Sequence, residues 1–247
     1  QSLKPLDELW VYPPRFYVAN PTFQNFSDMF KAMTDSWVPF SRYIFNTVFI
    51  SVGGTFGNLV CGSLAAYAVS KIKFPGRAGL QKMVRLALMF HATVGSVVNF
   101  MTMSALHLVD TYWAIIIPAC GSTLGMFLMM QFMESSVPDT VLESARLDGA
   151  SEIRTYWTIA MPMVKPAWLT LIVYSFQGLW QTGSSIYIMS EQYKTFNYAI
   201  SQIVSSGIAR AGVGMASAVV MMIVPVAVFV ITQSNIIETM STSGMKD

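Results

Sequence analysis

Polar and apolar positions along this chain alternate on the scale of whole helices rather than of single turns. Five windows hold no Asp, Glu, Lys or Arg: residues 43 to 70, 86 to 109, 111 to 133, 166 to 190 and 211 to 237, each 23 to 28 residues long. A helix rises about 1.5 Å per residue, so about 20 residues cross a hydrocarbon layer ~30 Å thick. Every window is long enough. A water-facing amphipathic helix would show polar residues each turn or two, and barrel strands would be about half as long and alternating. The pattern predicts an all-α, polytopic membrane helical bundle with five visible spans.

The connections set the orientation and the domain plan. With the start of the chain outside, the inner segments hold Lys71, Lys73, Arg77, Lys82, Arg85, Arg146, Arg154, Lys165 and Lys246, and the outer ones Lys4, Arg15, Lys31, Arg42, Lys194 and Arg210. The positive-inside rule favours that arrangement. Residues 1 to 42 then form an external N-terminal segment, 43 to 237 the transmembrane domain with an inner loop at 134 to 165, and 238 to 247 a cytoplasmic tail. The external segment, with Pro5, Pro13, Pro14 and Pro21 among Trp10, Tyr12 and Phe16, reads as irregular and partly docked. It carries no span and no export signal, which predicts a further span upstream of Gln1.

Composition agrees: 53% of the 247 residues are apolar and 11% charged, and mean hydropathy is +0.50. Fifteen Lys and Arg against 13 Asp and Glu leave no electrostatic footprint for nucleic acid. No Gly-Lys dipeptide, CxxC, HExxH or GxSxG pattern occurs, so the chain lacks the phosphate-cradling loop and the common metal and nucleophile signatures. The expectation is a protein with no catalytic residues, no metal and no cofactor of its own. Cys61 and Cys120 fall inside apolar windows and read as reduced packing residues. Gly53 with Gly57, and Gly121 with Gly125, have the four-residue spacing that lets helices approach closely in lipid.

The inner loop is the most organised connection. Ser136 and Asp139 have capping-box spacing and Pro138 suits a first turn, which predicts a short helix from about Val137 to Asp148. Gly149 ends it where positive φ is wanted. Ser151 is a second candidate cap, Glu152 suits the positive end of the next helix, and Ile153, Tyr156, Trp157 and Ala160 fall on one predicted apolar stripe. Pro162 and Pro166 close the segment. A capped helix, a glycine corner and a second helix with an aromatic face make a candidate docking surface.

These residues resemble a known signature. Glu143-Ser144-Ala145, Gly149, Ile159 and Met161-Pro162 are similar to the EAA motif of importer-type ABC permeases, with its spacing kept and with Ser144 and Met161 in place of Ala and Leu. Ala66-Tyr67-Ala68 with Phe74-Pro75-Gly76-Arg77, then Leu147-Asp148-Gly149-Ala150 and Gly244-Met245-Lys246, resemble the carbohydrate-type branch related to the maltose permease. Trp180-Gln181 stands where that branch has Trp-Asn. The resemblance implies a permease of six spans that binds neither ATP nor Mg²⁺ itself. Its implied partners are a second permease subunit, in a heterodimer, two ATPases that carry ATP and Mg²⁺, and an external solute-binding protein. It assigns ATPase coupling to Glu143, Ala145, Asp148, Gly149, Ala150, Tyr156 and Pro162. For the path of a sugar or oligosaccharide, the in-span polar and aromatic candidates are His91, Asn99, Gln177, Trp180, Gln181 and Tyr187. Trp180 and Tyr187 also suit interfacial belts, and His91 and Asn99 suit helix packing. A permease for a polyamine or amino acid, and a non-transport membrane scaffold, are the alternative readings.

Overall fold

The computed structural model describes residues 1 to 13, 15 to 34, 38 to 89, 92 to 183, 186 to 205, 207 and 210 to 243, with only the backbone at 33, 34, 92 to 94, 203 and 234 to 243. His91 and the tail Gly244-Met245-Lys246 lie outside the described residues. Among those described there is helix and loop and no strand. After a single-turn helix α1 (Leu6–Leu9) come α2 (Gln24–Thr34) and the long α3 (Phe40–Lys71). Next are α4 (Arg77–Ala87), α5 (Ala92–Ala105), α6 (Trp113–Cys120) and α7 (Thr123–Ser136). The inner loop holds α8 (Asp139–Leu147), α9 (Glu152–Thr155), a π turn (Tyr156–Ala160) and α10 (Met161–Met163). The chain finishes with α11 (Lys165–Trp180), α12 (Phe196–Ser205) and α13 (Ala211–Ser243).

Among the described residues three helical stretches are long and apolar enough to cross a membrane, Phe40–Lys71, Trp113–Ser136 and Ala211–Gln233, and the bent pair Glu152–Met163 with Lys165–Trp180 adds a fourth only when its two halves are taken as one span. The five charge-free windows therefore map unevenly onto helices. Window 86 to 109 is shared between α4, which starts at Arg77, and α5, with Leu88 and Met89 in a turn between them. A run without charge reports hydropathy, and a break in the hydrogen-bond ladder leaves no mark on it. Window 111 to 133 carries Pro118, which lacks an amide to donate, inside α6, is interrupted after Cys120, and restarts where the Ser122 hydroxyl accepts from the Gly125 amide at 3.2 Å. Pro166, in the first turn of α11, forbids a straight run from α10, and the two halves of the bent pair meet at 84°. Helix ends at Trp180, well before the window does.

The end of α3 shows what the Phe74-Pro75-Gly76-Arg77 turn accomplishes. Gly76 has φ +94°, which reverses the chain and lets Arg77 fold back over the helix end. Its Nε donates to the Val69 carbonyl at 2.9 Å and a terminal nitrogen donates to the Ser70 carbonyl. A cation thus satisfies orphan carbonyls at the negative end of the dipole.

The main core lies toward the inner loop, where Tyr67, Met129, Met130, Met133, Leu142, Tyr156 and Leu171 are buried together. The glycine spacing has its counterpart there. A Cβ on Gly57 would stand 2.4 Å from the Cys120 sulfur, and one on Gly125 would stand 2.8 Å from Leu171 Cδ1 and 3.1 Å from Asn58 Oδ1. A second cluster joins Met29, Tyr43, Phe196, Ile200 and Val213. It includes α2, a regular helix in the segment read as irregular; Phe26, Met29 and Phe30 carry the helical spacing that the prolines around them obscured. At its other end, α3 is latched to the segment before α12: Asn46 Nδ2 donates to the carbonyls of Gln192 and Lys194 at 2.9 and 2.8 Å, and the Phe196 amide donates to the Thr47 hydroxyl at 2.8 Å.

Candidate functional site

The short helix of the inner loop begins two residues later than its sequence suggests, at Asp139 rather than Val137. Ser136 is the last residue of α7 and forms no capping box; Val137 is extended, Pro138 precedes α8, and no side chain caps that helix. Asp139 is drawn instead to Lys71, so the helix starts against an ion pair. At the other end, the Gly149 amide donates to the Arg146 carbonyl and the Ala150 amide to the Ala145 carbonyl, both at 3.0 Å, with Gly149 at φ +80°. This is a complete Schellman motif, and it explains why Ala145, Gly149 and Ala150 occur together. The next start is as expected, since the Ser151 hydroxyl accepts from the Arg154 amide at 3.3 Å.

The predicted stripe divides. Tyr156 and Ala160 are buried, whereas Ile153 is 70% and Trp157 51% exposed. A π turn occupies 156 to 160, and the Met161 amide reaches back to the Tyr156 carbonyl. The division follows two neighbouring i, i+4 rows, Tyr156 with Ala160 toward the core and Ile153 with Trp157 away from it, and the π turn relieves the clash that the Pro162 ring would have with the Thr158 carbonyl. Glu143 and Asp148 are exposed, and so is Leu147, at 90%. The outer surface of the corner therefore combines carboxylates with uncovered apolar side chains. Leu142 and Ala145 face inward.

Three side chains of α3 hold the loop. Lys71 Nζ donates to the Val137 carbonyl at 2.6 Å and to Asp139 Oδ1 at 2.8 Å. Tyr67 Oη donates to Glu152 Oε2 at 2.9 Å, and Arg146 binds the same carboxylate at 2.7 and 3.3 Å. The hydroxyls of Ser63 and Tyr156 share a hydrogen bond at 2.6 Å. The Lys71 ammonium holds the Asp139 carboxyl below the usual carboxylate range. The Arg146 guanidinium does the same for Glu152, and the Glu152 carboxylate in turn raises the pKa of Arg146.

A cleft of about 360 Å³ opens between α3, the α6–α7 break and α11. Among the described residues its polar lining is Asn58, Ser122, Tyr174, Ser175, Gln177 and Gln181, with no charged side chain. Asn58 is buried; its Nδ2 donates to the Ser175 hydroxyl, and its Oδ1 has no hydrogen-bond partner. Of the path candidates, Gln177 and Gln181 meet in this cleft. Trp180 does not line it: its indole is buried and donates to the Met221 carbonyl at 2.9 Å, tying α11 to α13. Tyr187 lies in the connection between α11 and α12 with its ring centroid 6.1 Å from that of Phe100, and Asn99 is exposed on α5. Sequence reasoning passed over Asn58, Ser122, Tyr174 and Ser175. The available signal was the spacing of Ser51, Thr55 and Asn58, which puts three polar groups on one side of a helix without charges.

Long apolar helices joined through a capped, exposed corner define a multi-pass membrane protein. Residues 58–241 match the family described as "Binding-protein-dependent transport system inner membrane component", and the chain belongs to that family. It is 31% identical to the protein LplC of Bacillus subtilis over 149 residues, which are 56% of this chain and 50% of LplC. It is 30% identical to the sn-glycerol-3-phosphate transport system permease protein UgpE of Yersinia enterocolitica, over 71% of this chain and 63% of UgpE. The galactooligosaccharides transport system permease protein GanQ of Bacillus subtilis is 26% identical over 92% of this chain and 81% of its own. The chain thus spans between half and two thirds of the length of LplC and UgpE. Among solved structures, the fold is similar to a chain of a bacterial ABC transporter involved in the import of the acidic polysaccharide alginate. The TM-score is 0.79 at 21% identity, with 94% of this chain and 86% of that chain covered.

Proposed function

We propose that this chain is a membrane-spanning permease subunit of an ATP-driven importer, translocating a sugar or oligosaccharide that an external solute-binding protein delivers. The observation that carries the reading is the corner at Gly149. A helix closed by a Schellman motif and anchored to α3 presents Glu143, Leu147 and Asp148 outward, as a part that must transmit force to a partner would do. In this reading the loop and the C-terminus are cytoplasmic, α8 sits in a cleft of an ATPase, and Glu143 meets a basic group there. ATP and Mg²⁺ are held by two such ATPases, and a second, non-identical permease completes the path.

The cleft supports a neutral, hydroxylated solute. Amides and hydroxyls with a tyrosine ring suit sugar hydroxyls and faces, and no charged side chain lines it. Similarity to permeases named for oligosaccharide transport supports the same class. The test is ATPase stimulation and uptake in proteoliposomes holding the full complex, with the binding protein loaded in turn with a panel of neutral oligosaccharides, an acidic oligosaccharide and a polyamine. Stimulation by neutral sugars is expected; stimulation by the polyamine alone would replace the sugar assignment. Failure of the chain to co-purify with any ATPase would remove the importer reading.

A further inference from the structure

Ser63, Tyr67 and Lys71 lie four residues apart, so they share one ridge of α3, with steps of about 6 Å between them. Each ends on a different part of the inner loop: Ser63 on Tyr156 in the π turn, Tyr67 on Glu152 beyond the corner, and Lys71 on Val137 and Asp139 before it. The partners are 66 to 93 residues away along the chain, so connectivity does not impose these contacts.

The chemistry chosen is directional. The Lys71 side chain is only 5% exposed, and burying an ammonium is costly unless it is paired and hydrogen-bonded. A methionine would fill the same space without that cost but would allow the loop to slide. Four bonds from three side chains, spread over both sides of the corner, resist both sliding and rotation. Further along α3, Asn58 binds Ser175 of α11 at the cleft, so the helix that grips the loop also touches the cleft lining.

We propose that the Ser63–Tyr67–Lys71 ridge is a clasp that makes the coupling loop and α3 move as one body and so sets how much solute is carried per ATP hydrolysed. These are positioning residues, acting through the loop, and the inference rests on the importer reading above. The test uses the complete complex in proteoliposomes, measuring uptake and phosphate release in the same vesicles. Tyr67→Phe removes one hydroxyl, Lys71→Met removes the charge at similar volume, and Lys71→Arg restores a cation.

Lys71→Met is expected to assemble and hydrolyse ATP while uptake per phosphate falls roughly fivefold or more, the lower end of coupling between linked sites. Tyr67→Phe should lower the ratio in the same direction by a smaller factor, and Lys71→Arg should recover most of it. An unchanged ratio overturns the clasp, whether both activities persist or fall in parallel, and so does failure of both Lys71→Met and Tyr67→Phe to assemble, because support of the fold would then suffice. A wild-type complex without ATP-dependent uptake is a different result, since it removes the importer reading itself.

Discussion

Replacing Gly149 isolates a backbone effect with little else mixed in. The residue has φ +80°, and a Cβ placed on it would meet nothing within 4 Å, so the cost of a side chain is conformational rather than steric. Alanine in the left-handed region costs about 1 kcal/mol, a β-branched valine more, and asparagine less because it tolerates that region. The Ala150 amide, bonded to Ala145, reports the corner directly. With tenfold per 1.4 kcal/mol, Gly149→Ala should reduce hydrogen-exchange protection of that amide about fivefold, Gly149→Val should reduce it further, and Gly149→Asn should stay close to wild type. The readout is exchange by mass spectrometry on the purified full chain, at a peptide covering α8 and α9. Asparagine as damaging as valine, or alanine indistinguishable from glycine, would refute the assignment of the effect to positive φ.

Three further outcomes follow from the same geometry. Glu143→Lys lies on an exposed position and should leave thermal stability unchanged while reducing co-purification with ATPase subunits; equal recovery of the ATPases would count against a docking role for Glu143. Gly57→Val should lower stability by about 1 to 3 kcal/mol through overpacking, because the first added carbon already overlaps the Cys120 sulfur, and thermal denaturation in detergent measures it. Asp139 and Glu152 have pKa values below their ordinary 3.8 and 4.5, so the stability they contribute is fully present above those values and is lost as pH falls through the lower folded values. The melting temperature should therefore drop between pH 5 and about pH 2, less steeply in an Asp139→Asn, Glu152→Gln variant; parallel profiles for the two proteins would contradict this.

Features governed by single residues were legible in the sequence. Gly149 shows the end of α8 because few other residues tolerate its φ, and the charge-free run from Tyr43 to Ser70 outlines α3 because lipid excludes charge. Features that depend on where hydrogen bonds are exchanged were not legible. Ser136 and Asp139 satisfy the capping-box pattern, yet Lys71, far away in the sequence, claims the aspartate. The stripe through Ile153, Tyr156, Trp157 and Ala160 takes two neighbouring i, i+4 rows as one face, and only the row of Tyr156 and Ala160 meets the core. Gln177 and Gln181 were visible as polar groups in a span, whereas Asn58 and Ser175 acquire meaning only when α3 and α11 are placed side by side. Trp180 shows the converse, an aromatic suited to sugar that turns toward Met221.

The bend at Val164 makes the segment before it a crank handle for the one after it. Glu152–Met163 is an arm of about 18 Å set nearly at right angles to α11. Displacing the Glu152 end of such an arm sideways by about 3 Å, together with the α3 residues bonded to it, would roll the driven helix about its own axis by roughly 10°. Rolling exposes no backbone amide to hydrocarbon, so the bilayer offers it little resistance. Gln177 lies near the end of the driven helix and Gln181 caps it, so a small sideways stroke at the loop would re-aim two amides that line the cleft about 18 Å or more along α11.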